Sequence, residues 1–404
     1  MNESKTNCPS GGEELGEYMK KHNLIVAQGG GPTAVINASL AGVVAEAQKH
    51  PEIDRIYAGH HGIEGMMKED FIDVTNMSAT DIERLKMTPS SAVGSCRYKV
   101  SEKDHDRIIE VLHKHNIKYF FYNGGNDSMD TCNKVSKIAG DIQVIGVPKT
   151  IDNDLAITDH CPGFGSAARF AATATLEYGL DIRALPIHVG VIEIMGRNAG
   201  WLVAATALAR TQGFAAPHLI YFPERAFNKE KFVADVKAAQ KKYGYGIVVA
   251  VSEGVCYENG EPVADSGMVD GFGHKIPGGT AQALSNILLQ NGIKSRAEKP
   301  GLTGRASKLT IAPCDVEEAF EAGKIAVKSA VAGKSGYMVG YKRVSSAPYK
   351  ISYELIELAK VANVENVLPD SYINAEGNDV TPAFVEYCKP LIGGELGDYF
   401  KFDN

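Results

Sequence analysis

The stretch PKTIDND (148–154) places a lysine, a threonine and two aspartates directly after a run of apolar, strand-forming residues. Asp152 has the chemistry of a general base, because a carboxylate can accept the proton of a reacting hydroxyl group. Asp154 suits a metal-binding or orienting carboxylate, and Lys149 suits a clamp for a phosphoryl group. Ordinary turns also favour Asp and Asn, but turn chemistry alone explains this cluster poorly. The stretch therefore predicts a catalytic role.

A second polar turn, GGNDSMDT (124–131), also follows an apolar strand. Gly124 and Gly125 end the strand, and Asn126 and Asp127 stand where the next helix should begin. Two interpretations remain open from the residues alone. The polar side chains cap the helix, or they help to hold Mg²⁺, which keeps much of its water and needs few protein ligands.

The glycines of AQGGGPT (27–33) close another predicted strand just before a helix. Backbone N–H groups exposed at such a junction can receive a phosphate, although a plain tight turn has the same composition. The segment matches neither G-x-G-x-x-G nor the Walker A sequence. Gly30 and Gly31 are therefore candidate phosphate contacts without a standard nucleotide motif.

Basic residues follow several of the predicted strands. Arg97 lies in the loop GSCRYK, Arg197 follows a hydrophobic strand in MGRNAGW, and Arg296 and Arg305 lie in KSRAEKPGLTGR. Any one arginine could be a solvated surface charge. Three basic loops at strand ends instead favour a site that binds phosphoryl groups through guanidinium contacts.

The elements that must position these residues repeat one pattern: an apolar strand ends in glycines or polar residues, and a helix follows. The strands LIVAQGGG, KYFFYNGG and IQVIGVP show it first. The pattern resumes after Asp154 with a helix over about 165–185, the strands IHVGVIEIM, HLIYFPE and YGIVVAVSEG, and a helix in NAGWLVAATALAR. This rhythm is typical of an α/β fold with parallel sheets, whose ligands collect at the carboxyl ends of strands.

The C-terminal part is predicted to contain a helix in CDVEEAFEAGKIAVKSAVAG, a strand in YMVGYKRV and short helices near the end. At 404 residues the chain is long enough for two domains. We expect two closely packed α/β units with the site in the cleft between them.

Charge and cysteine content exclude several classes of protein. The net charge of -7 argues against a nucleic-acid-coating protein and a polybasic membrane anchor. The seven cysteines are scattered and lack C-x-x-C pairs, which favours a reducing cytoplasm over a disulfide or zinc framework. No run of about 18 apolar residues is present, so no membrane span is expected.

A dinucleotide-binding dehydrogenase is the competing interpretation of a glycine-rich strand end. Such a protein carries an acidic residue at the end of its second strand to hold a ribose. Here the second strand gives way to GHHGIEG, where the first acidic residue, Glu64, comes late and between glycines. The dehydrogenase interpretation fits poorly.

Taken in order, the motifs resemble those of the phosphofructokinases. GGG near the start, GS-x-R, GG-x-x-S, P-x-TIDND, MGR, an SE pair after a strand and late arginines extend from about Leu24 to Arg305. The resemblance implies two Rossmann-like three-layer α/β/α domains with a cleft between them. Residues 1–160 and about 304–365 would form the phosphoryl-donor domain, and residues 161–303 with the C-terminal segment would form the sugar-phosphate domain.

Within that family, two positions separate the phosphoryl donors. ATP users generally have glycine at the positions of Asp127 and Lys149, whereas pyrophosphate users generally have Asp and Lys. This chain therefore resembles the pyrophosphate-dependent type. The Asp127 carboxylate would repel the α-phosphate of a nucleotide, and Lys149 would add positive charge for pyrophosphate. The implied reaction transfers a phosphoryl group to O1 of fructose 6-phosphate, reversibly and with Mg²⁺, in glycolysis or gluconeogenesis.

The resemblance also implies residue roles. Asp152 would be the base, Thr150 would lie beside the transferring phosphoryl group, and Arg197 would stabilise the charge that develops on it. Pyrophosphate would contact Gly30, Gly31, Arg97, Asp127 and Lys149. The sugar phosphate would contact Thr150, Asp152, Arg197, Met195, Gly196, Glu253 and Arg305, which would grip the 6-phosphate, and Arg296 from a neighbouring subunit.

Departures from the family pattern leave some expectations open. Asn126 stands where the family usually has a magnesium-associated aspartate, so Asp127 or Asp154 would carry more of the metal binding. His188 and Leu302 differ from the usual 6-phosphate pocket, so sedoheptulose 7-phosphate is a further possible acceptor. The alternatives are an ATP-dependent phosphofructokinase and a non-catalytic phosphosugar-binding subunit. We expect a cytoplasmic homodimer or homotetramer without nucleic-acid or membrane partners.

Overall fold

The computed structural model of the chain describes residues 21–185, 188–210, 214–244, 246–269, 275–397 and 399–400, with only the backbone for 275–277. One sheet of seven strands contains β1 (His22–Gln28), β2 (Ile53–Gly59), β3 (Phe71–Asp73), β4 (Ile117–Gly124), β5 (Gln143–Pro148), β12 (Tyr337–Ser346) and β13 (Tyr349–Glu357). Their order across the sheet is β13-β12-β5-β4-β1-β2-β3. The five central strands are parallel, and β3 and β13 run antiparallel to their neighbours at the two edges.

A second sheet has four parallel strands, β6 (Val189–Ile194), β7 (Leu219–Tyr221), β8 (Val248–Ser252) and β11 (Ser295–Glu298). Their order is β11-β6-β8-β7. The strands β9 (Asp265–Val269) and β10 (Lys275–Pro277) form a separate antiparallel hairpin.

The helices flank the two main sheets. They are α1 (Ile36–Ala47), α2 (Gly62–Met67), α3 (Ala79–Lys86), α4 (Glu102–Lys114), α5 (Asn126–Ile138), α6 (Phe164–Ala184), α7 (Trp201–Ala205), α8 (Lys229–Tyr243), α9 (Thr280–Gln290), α10 (Thr303–Ala306), α11 (Pro313–Val331), α12 (Leu358–Val361) and α13 (Pro382–Cys388). Short 3₁₀ turns occur at Thr206–Ala209, Lys308–Thr310, Asp370–Tyr372 and Lys389–Ile392. None of the helices in the described ranges has the length and apolar character needed to cross a bilayer.

The alternation of side chains along β1 explains the three layers. Leu24 and Val26 belong to a buried cluster with residues of α1 and α11, whereas Ile25 and Ala27 belong to another with residues of α4 and α5. Successive residues of a strand point to opposite faces, so a strand that is apolar throughout must be covered on both. The second sheet follows the same rule, with α6 and α7 on one side and α8 and α9 on the other.

Close contact between α1 and α11 depends on a pair of glycines. A Cβ added at Gly42 would lie 2.0 Å from the carbonyl oxygen of Phe320, and one added at Gly323 would lie 2.1 Å from that of Ser39. The backbones can approach this closely because neither helix has a side chain at the point of contact. An alanine at either position would force the helices apart.

The predicted α/β class, with helices on both faces of largely parallel sheets, is confirmed. The first sheet takes its strands from residues 22–148 and 337–357, and the second from residues 189–298. The division into two domains stays a prediction, and residues 1–20 of its first part lie outside the described residues. The strands β3, β11 and β13 and the β9–β10 hairpin were not predicted from the sequence, and β11 includes Arg296, which was expected in a loop. The helix predicted from Asn198 begins only at Trp201.

Candidate active site

An open cleft of about 660 Å³ is lined by residues that follow strands of both main sheets. Because ligands of α/β proteins bind at the carboxyl ends of strands, this is the expected place for a site. All of the predicted site residues except Arg296 line it: Gly30 and Gly31 after β1, Asn126 and Asp127 after β4, Lys149, Thr150, Asp152 and Asp154 after β5, Met195, Gly196 and Arg197 after β6, Glu253 after β8, and Arg97 and Arg305 from loops and α10.

Lys149 lies in the part of the cleft that also contains Gly30 and Gly31, and it is only 3% exposed. Its Nζ donates a hydrogen bond of 2.9 Å to the carbonyl oxygen of Gly31. Burial lowers the pKa of Lys149 to about 8, against the opposing effect of the nearby carboxylates of Asp152 and Asp154. Gly30, with φ of +78°, leaves room for this amine, since a Cβ there would lie 3.2 Å from Nζ. The first glycine loop is therefore shaped around a buried ammonium group.

Asp152 faces the same cleft from the turn that follows β5. Its backbone N–H donates a 3.1 Å hydrogen bond to Oγ1 of Thr150, which fixes the start of the turn. Burial, together with the negative charges of Asp154 and Glu253, raises the pKa of Asp152 to about 7. A carboxyl group with this pKa can accept a proton at neutral pH and release it afterwards.

Asn126 and Asp154 together form the best candidate for a metal site. Nδ2 of Asn126 donates to Oδ2 of Asp154 at 3.2 Å, and Oδ1 of each residue is buried without a hydrogen-bond partner among the described residues. Such buried oxygens are expensive to leave unpaired, and a hard cation is a suitable partner for them. Asp127, in the first turn of α5, supplies a further carboxylate at the cleft.

The described residues contain no group of three or more His, Cys, Asp or Glu side chains arranged to hold a metal. A cation at Asn126 and Asp154 would therefore complete its coordination with water and substrate oxygens. This is how Mg²⁺ is usually bound where phosphates are transferred. The oxygen ligands of Asn126 and Asp154 suit Mg²⁺ better than a metal ion that takes all of its ligands from the protein.

Arg197 follows β6 and stands against Glu253 and Gly254. Its φ is +48°, and a Cβ at Gly254 would lie only 1.7 Å from the Arg197 carbonyl oxygen. The N–H of Gly196 points to Oε1 of Glu253 at 3.4 Å. Burial raises the pKa of Glu253, and Glu193 adds to the effect. The arginine loop thus keeps its unusual backbone because residue 254 has no side chain.

Arg97 and Arg305 bring positive charge to the first glycine loop. The Gly30 N–H donates a 2.9 Å hydrogen bond to the carbonyl oxygen of Cys96, which holds Arg97 at the loop. The guanidinium group of Arg305 lies beside Gly31, where a Cβ would be 3.1 Å from one of its nitrogens. Burial lowers the pKa of Arg305, and the charge of Arg97 lowers it further. Arg305 therefore lies near the predicted donor residues.

Arg296 does not line the cleft of its own chain. It is an exposed residue of β11, an edge strand of the second sheet, and its carbonyl oxygen accepts a 3.3 Å hydrogen bond from the hydroxyl group of Tyr178. Its predicted role in the site of a neighbouring subunit stays a prediction.

Several residues of the cleft were not predicted from the sequence. Asn198 extends the arginine loop, the segment after β8 contributes residues from Cys256 to Asp265, and Asn363 and Glu365 arrive from the C-terminal part of the chain. Asn198 could have been found from its place beside MGR. No local pattern marks Asn363 or Glu365, because they reach the cleft through contacts with residues some 200 positions earlier.

Comparison with known proteins points to one family. The family model described as Phosphofructokinase matches residues 23–330. A protein of Halomonas elongata named pyrophosphate–fructose 6-phosphate 1-phosphotransferase is 44% identical over 400 residues, covering 96% of this chain and 95% of the relative. One of the same name from Methylococcus capsulatus is 42% identical, covering 93% of each chain. The crystal structure of a pyrophosphate-dependent phosphofructokinase from Marinobacter aquaeolei has a TM-score of 0.84 and 43% identity, covering 95% of this chain and 94% of that one.

Proposed function

The chain belongs to the phosphofructokinase family, and we propose that it transfers a phosphoryl group from pyrophosphate to O1 of fructose 6-phosphate. The products are fructose 1,6-bisphosphate and phosphate. The observation that carries the proposal is that Asp127 and Lys149, the predicted donor-specificity pair, line one cleft with the candidate base Asp152. The relatives named above, whose names specify pyrophosphate as donor, support the same reaction.

In this proposal, Asp152 accepts the proton of the sugar 1-hydroxyl while that oxygen forms a bond to phosphorus. The bridging P–O bond of pyrophosphate breaks, and phosphate leaves with the bonding electrons. The pKa of Asp152 suits the step. At neutral pH a base with a pKa near 7 is deprotonated in much of the protein and still binds a proton well. Arg197 donates hydrogen bonds to the transferring group as negative charge develops on its oxygens.

Pyrophosphate is proposed to lie against the first glycine loop and the start of α5. Gly30 and Gly31 offer backbone contacts, Arg97 and Lys149 offer positive charge, and Asp127 occupies the space that a longer nucleotide would need. Lys149 is desolvated, so its attraction to a phosphate oxygen is weakened little by water. Asp127 is an exposed residue of the same cleft, so its carboxylate would disfavour a nucleotide phosphate by like-charge repulsion that water partly screens.

The acceptor sugar is proposed to contact Thr150, Met195, Gly196 and Glu253, with Arg305 holding its 6-phosphate. The guanidinium group of Arg305 lies beside Gly31, in the glycine loop that is proposed to bind pyrophosphate. A 6-phosphate held by Arg305 would therefore lie close to that loop. The alternative is that Arg305 contacts the transferring phosphoryl group. Arg296 of a neighbouring subunit would complete the pocket, which implies a homodimer or homotetramer. We further propose a cytoplasmic enzyme that works reversibly in glycolysis or gluconeogenesis.

Phosphofructokinases are phosphotransferases that generally need a divalent metal ion. We propose Mg²⁺, held by Asp154, Asn126 and Asp127 with water and phosphate oxygens. Bound there, the ion would supply positive charge that offsets the charge of the phosphates. The two unpaired buried oxygens of Asn126 and Asp154 support the site.

The reaction and its metal requirement can be tested together. With pyrophosphate, fructose 6-phosphate and Mg²⁺, the protein should release one phosphate for each fructose 1,6-bisphosphate formed, followed by phosphorus NMR. Excess EDTA should abolish turnover and added Mg²⁺ should restore it, because the carboxylate and amide ligands bind a hard ion reversibly. Product formation without a divalent ion, or no phosphoryl transfer to fructose 6-phosphate, would contradict the proposal.

Activity should have a bell-shaped dependence on pH. Below about pH 7 the raised pKa of Asp152 leaves the base protonated, so kcat/KM should fall as pH decreases. Above about pH 8 the lowered pKa of Lys149 removes the positive charge that pyrophosphate needs, so kcat/KM should fall again. Steady-state rates in constant-ionic-strength buffers from pH 5.5 to about 9.5 test this, and a Lys149→Arg protein should lose the alkaline fall. A flat profile over this range would exclude both assignments.

A further inference from the structure

The turn that carries Asp152 and the loop that carries Arg197 extend from strands of different sheets, and both contact one C-terminal stretch. This stretch, residues 363–368, is called the bridging segment below. We propose that Asn366 of the bridging segment is a positioning residue that holds the base turn (150–155) and the arginine loop (195–201) in the relative placement needed for phosphoryl transfer. The inference rests on the proposed function for its catalytic consequence, but not for the contacts themselves.

Asn366 is bonded twice to the base turn. Its backbone N–H donates a 2.8 Å hydrogen bond to the carbonyl oxygen of Asp154, and its Nδ2 donates a 3.2 Å hydrogen bond to that of Asn153. Leu155 and Glu365 form an antiparallel bridge next to these bonds. The segment therefore pairs with the base turn almost as a short strand would.

The base turn has an unusual conformation that needs such support. Asn153 is fully buried and has a φ of +59°, in the left-handed region that non-glycine residues rarely adopt. Its side chain is held at both ends, because Oδ1 accepts from the Cys161 N–H at 2.9 Å and Nδ2 donates to the Tyr387 hydroxyl group at 3.0 Å. The side chain of Asn366 secures the carbonyl oxygen of this same residue. A non-glycine residue keeps a left-handed backbone conformation only where several contacts with the surrounding structure hold it in place.

The bridging segment also bonds to the arginine loop. The carbonyl oxygen of Asn366 accepts a 2.8 Å hydrogen bond from Nε1 of Trp201, which is 4% exposed and ends the loop. Oε1 of Glu224 accepts from the Gly200 N–H at 2.7 Å and from the Leu368 N–H at 2.8 Å. Two independent hydrogen-bonded connections thus join residues 366–368 to residues 200–201.

The consequence for catalysis follows from geometry. Asp152 acts on the sugar hydroxyl, and Arg197 acts on the phosphoryl group that is transferred to it. A small error in the distance between the two residues therefore lowers the rate although no reacting group is lost. An alanine at 366 keeps both backbone hydrogen bonds and loses only the bond to Asn153. We expect kcat to fall about tenfold, with KM for pyrophosphate and for fructose 6-phosphate changing less than about threefold.

Two substitutions and a matched control test the role. Asn366→Ala removes the side-chain donor. Asn366→Asp keeps the shape but presents a carboxylate that cannot donate to the Asn153 carbonyl oxygen, so kcat should fall at least as far. Asn374→Ala is the control, because Asn374 is also a half-buried asparagine of the C-terminal part, outside the cleft, and its side chain bonds to Asn378 and Asp379 in its own turn. The control should keep kcat within about twofold of the unmodified protein.

Hydrogen exchange measures the coupling without using turnover. Losing one hydrogen bond of ordinary strength should raise amide exchange about fivefold in the base turn of Asn366→Ala. A smaller rise should follow in the arginine loop, and neither region should change in Asn374→Ala. The unmodified protein is assayed with pyrophosphate in parallel. If the unmodified protein is inactive, the proposed function is wrong. The exchange rates still show whether Asn366 connects the base turn to the arginine loop.

Three results would overturn the inference. They are an unchanged exchange rate in the base turn of Asn366→Ala, an Asn366→Asp protein as active as the unmodified protein, or a rise in KM with kcat unchanged. Full activity of Asn366→Asp would mean that the volume of the side chain matters and its hydrogen bond does not. A rise in KM with kcat unchanged would assign Asn366 to substrate binding.

Discussion

Asp152→Asn should lower kcat about a thousandfold while the protein still binds fructose 6-phosphate. The amide has nearly the same shape as the carboxylate but cannot accept the hydroxyl proton, and a positioned general base typically contributes about 10²–10⁴-fold. Burial, together with repulsion from Asp154 and Glu253, raises the pKa of Asp152 in the unmodified protein, and a neutral amide relieves both unfavourable effects. Sugar binding should therefore be retained or slightly strengthened. Turnover is followed by phosphate release, and binding by isothermal titration calorimetry.

Asp130→Asn provides the matched control for this substitution. Asp130 is another partly buried aspartate, on α5, but its carboxylate bonds to Lys134 and Asn363 and does not line the cleft. Its kcat should stay within about threefold of the unmodified value. If Asp152→Asn retained more than about a tenth of the activity, Asp152 would not be the base. If both variants lost activity equally, the loss would be structural.

The second large effect concerns the donor. Replacing Asp127 and Lys149 together with glycine should lower kcat/KM for pyrophosphate about 10²–10³-fold, because removing one preorganised charge at the reacting phosphates has an effect of that order. The same change should raise kcat/KM for ATP about tenfold from its background, since the carboxylate that repels a nucleotide phosphate is gone. Both constants come from steady-state assays with fructose 6-phosphate as the acceptor.

Three further proteins separate the contributions to this effect. Asp127→Gly alone should relax the exclusion of ATP with a smaller loss of pyrophosphate use. Lys149→Met keeps most of the side-chain volume in a site that is 3% exposed, so it should lose pyrophosphate use as severely as Lys149→Gly. A Lys149→Met protein that used pyrophosphate normally would show that the charge of Lys149 is not involved.

The parts of the site that the sequence predicted lie directly after strands. A parallel strand ends at the same sheet edge as its neighbours, so the residues after β1, β4 and β5 had to lie at one edge of the first sheet, and those after β6 and β8 at one edge of the second. The metal role of Asn126, Asp127 and Asp154 stays a prediction, and the sequence could not show that Oδ1 of Asn126 and Oδ1 of Asp154 would be buried without a hydrogen-bond partner among the described residues.

The unpredicted parts depend on contacts between distant residues. Asn366 reaches Asn153 across more than 200 residues, and its neighbours have no periodic pattern that marks them. The edge strand β13 does alternate between more and less exposed residues, yet its mixed composition gave no clear apolar face. The predicted helix at Asn198 begins later, at Trp201, and the N–H of Gly200 is bonded to the distant Glu224. Local helix propensity cannot predict hydrogen bonds between residues that are distant in the sequence.

The choice between pyrophosphate and ATP can be measured on the unmodified protein. Initial rates should be measured with fructose 6-phosphate and Mg²⁺, using pyrophosphate and ATP as alternative donors in the same buffer. We expect a kcat/KM for pyrophosphate at least about 10³-fold above that for ATP, equivalent to about 4 kcal/mol of discrimination. Equal use of the two donors, or a preference for ATP, would contradict this expectation.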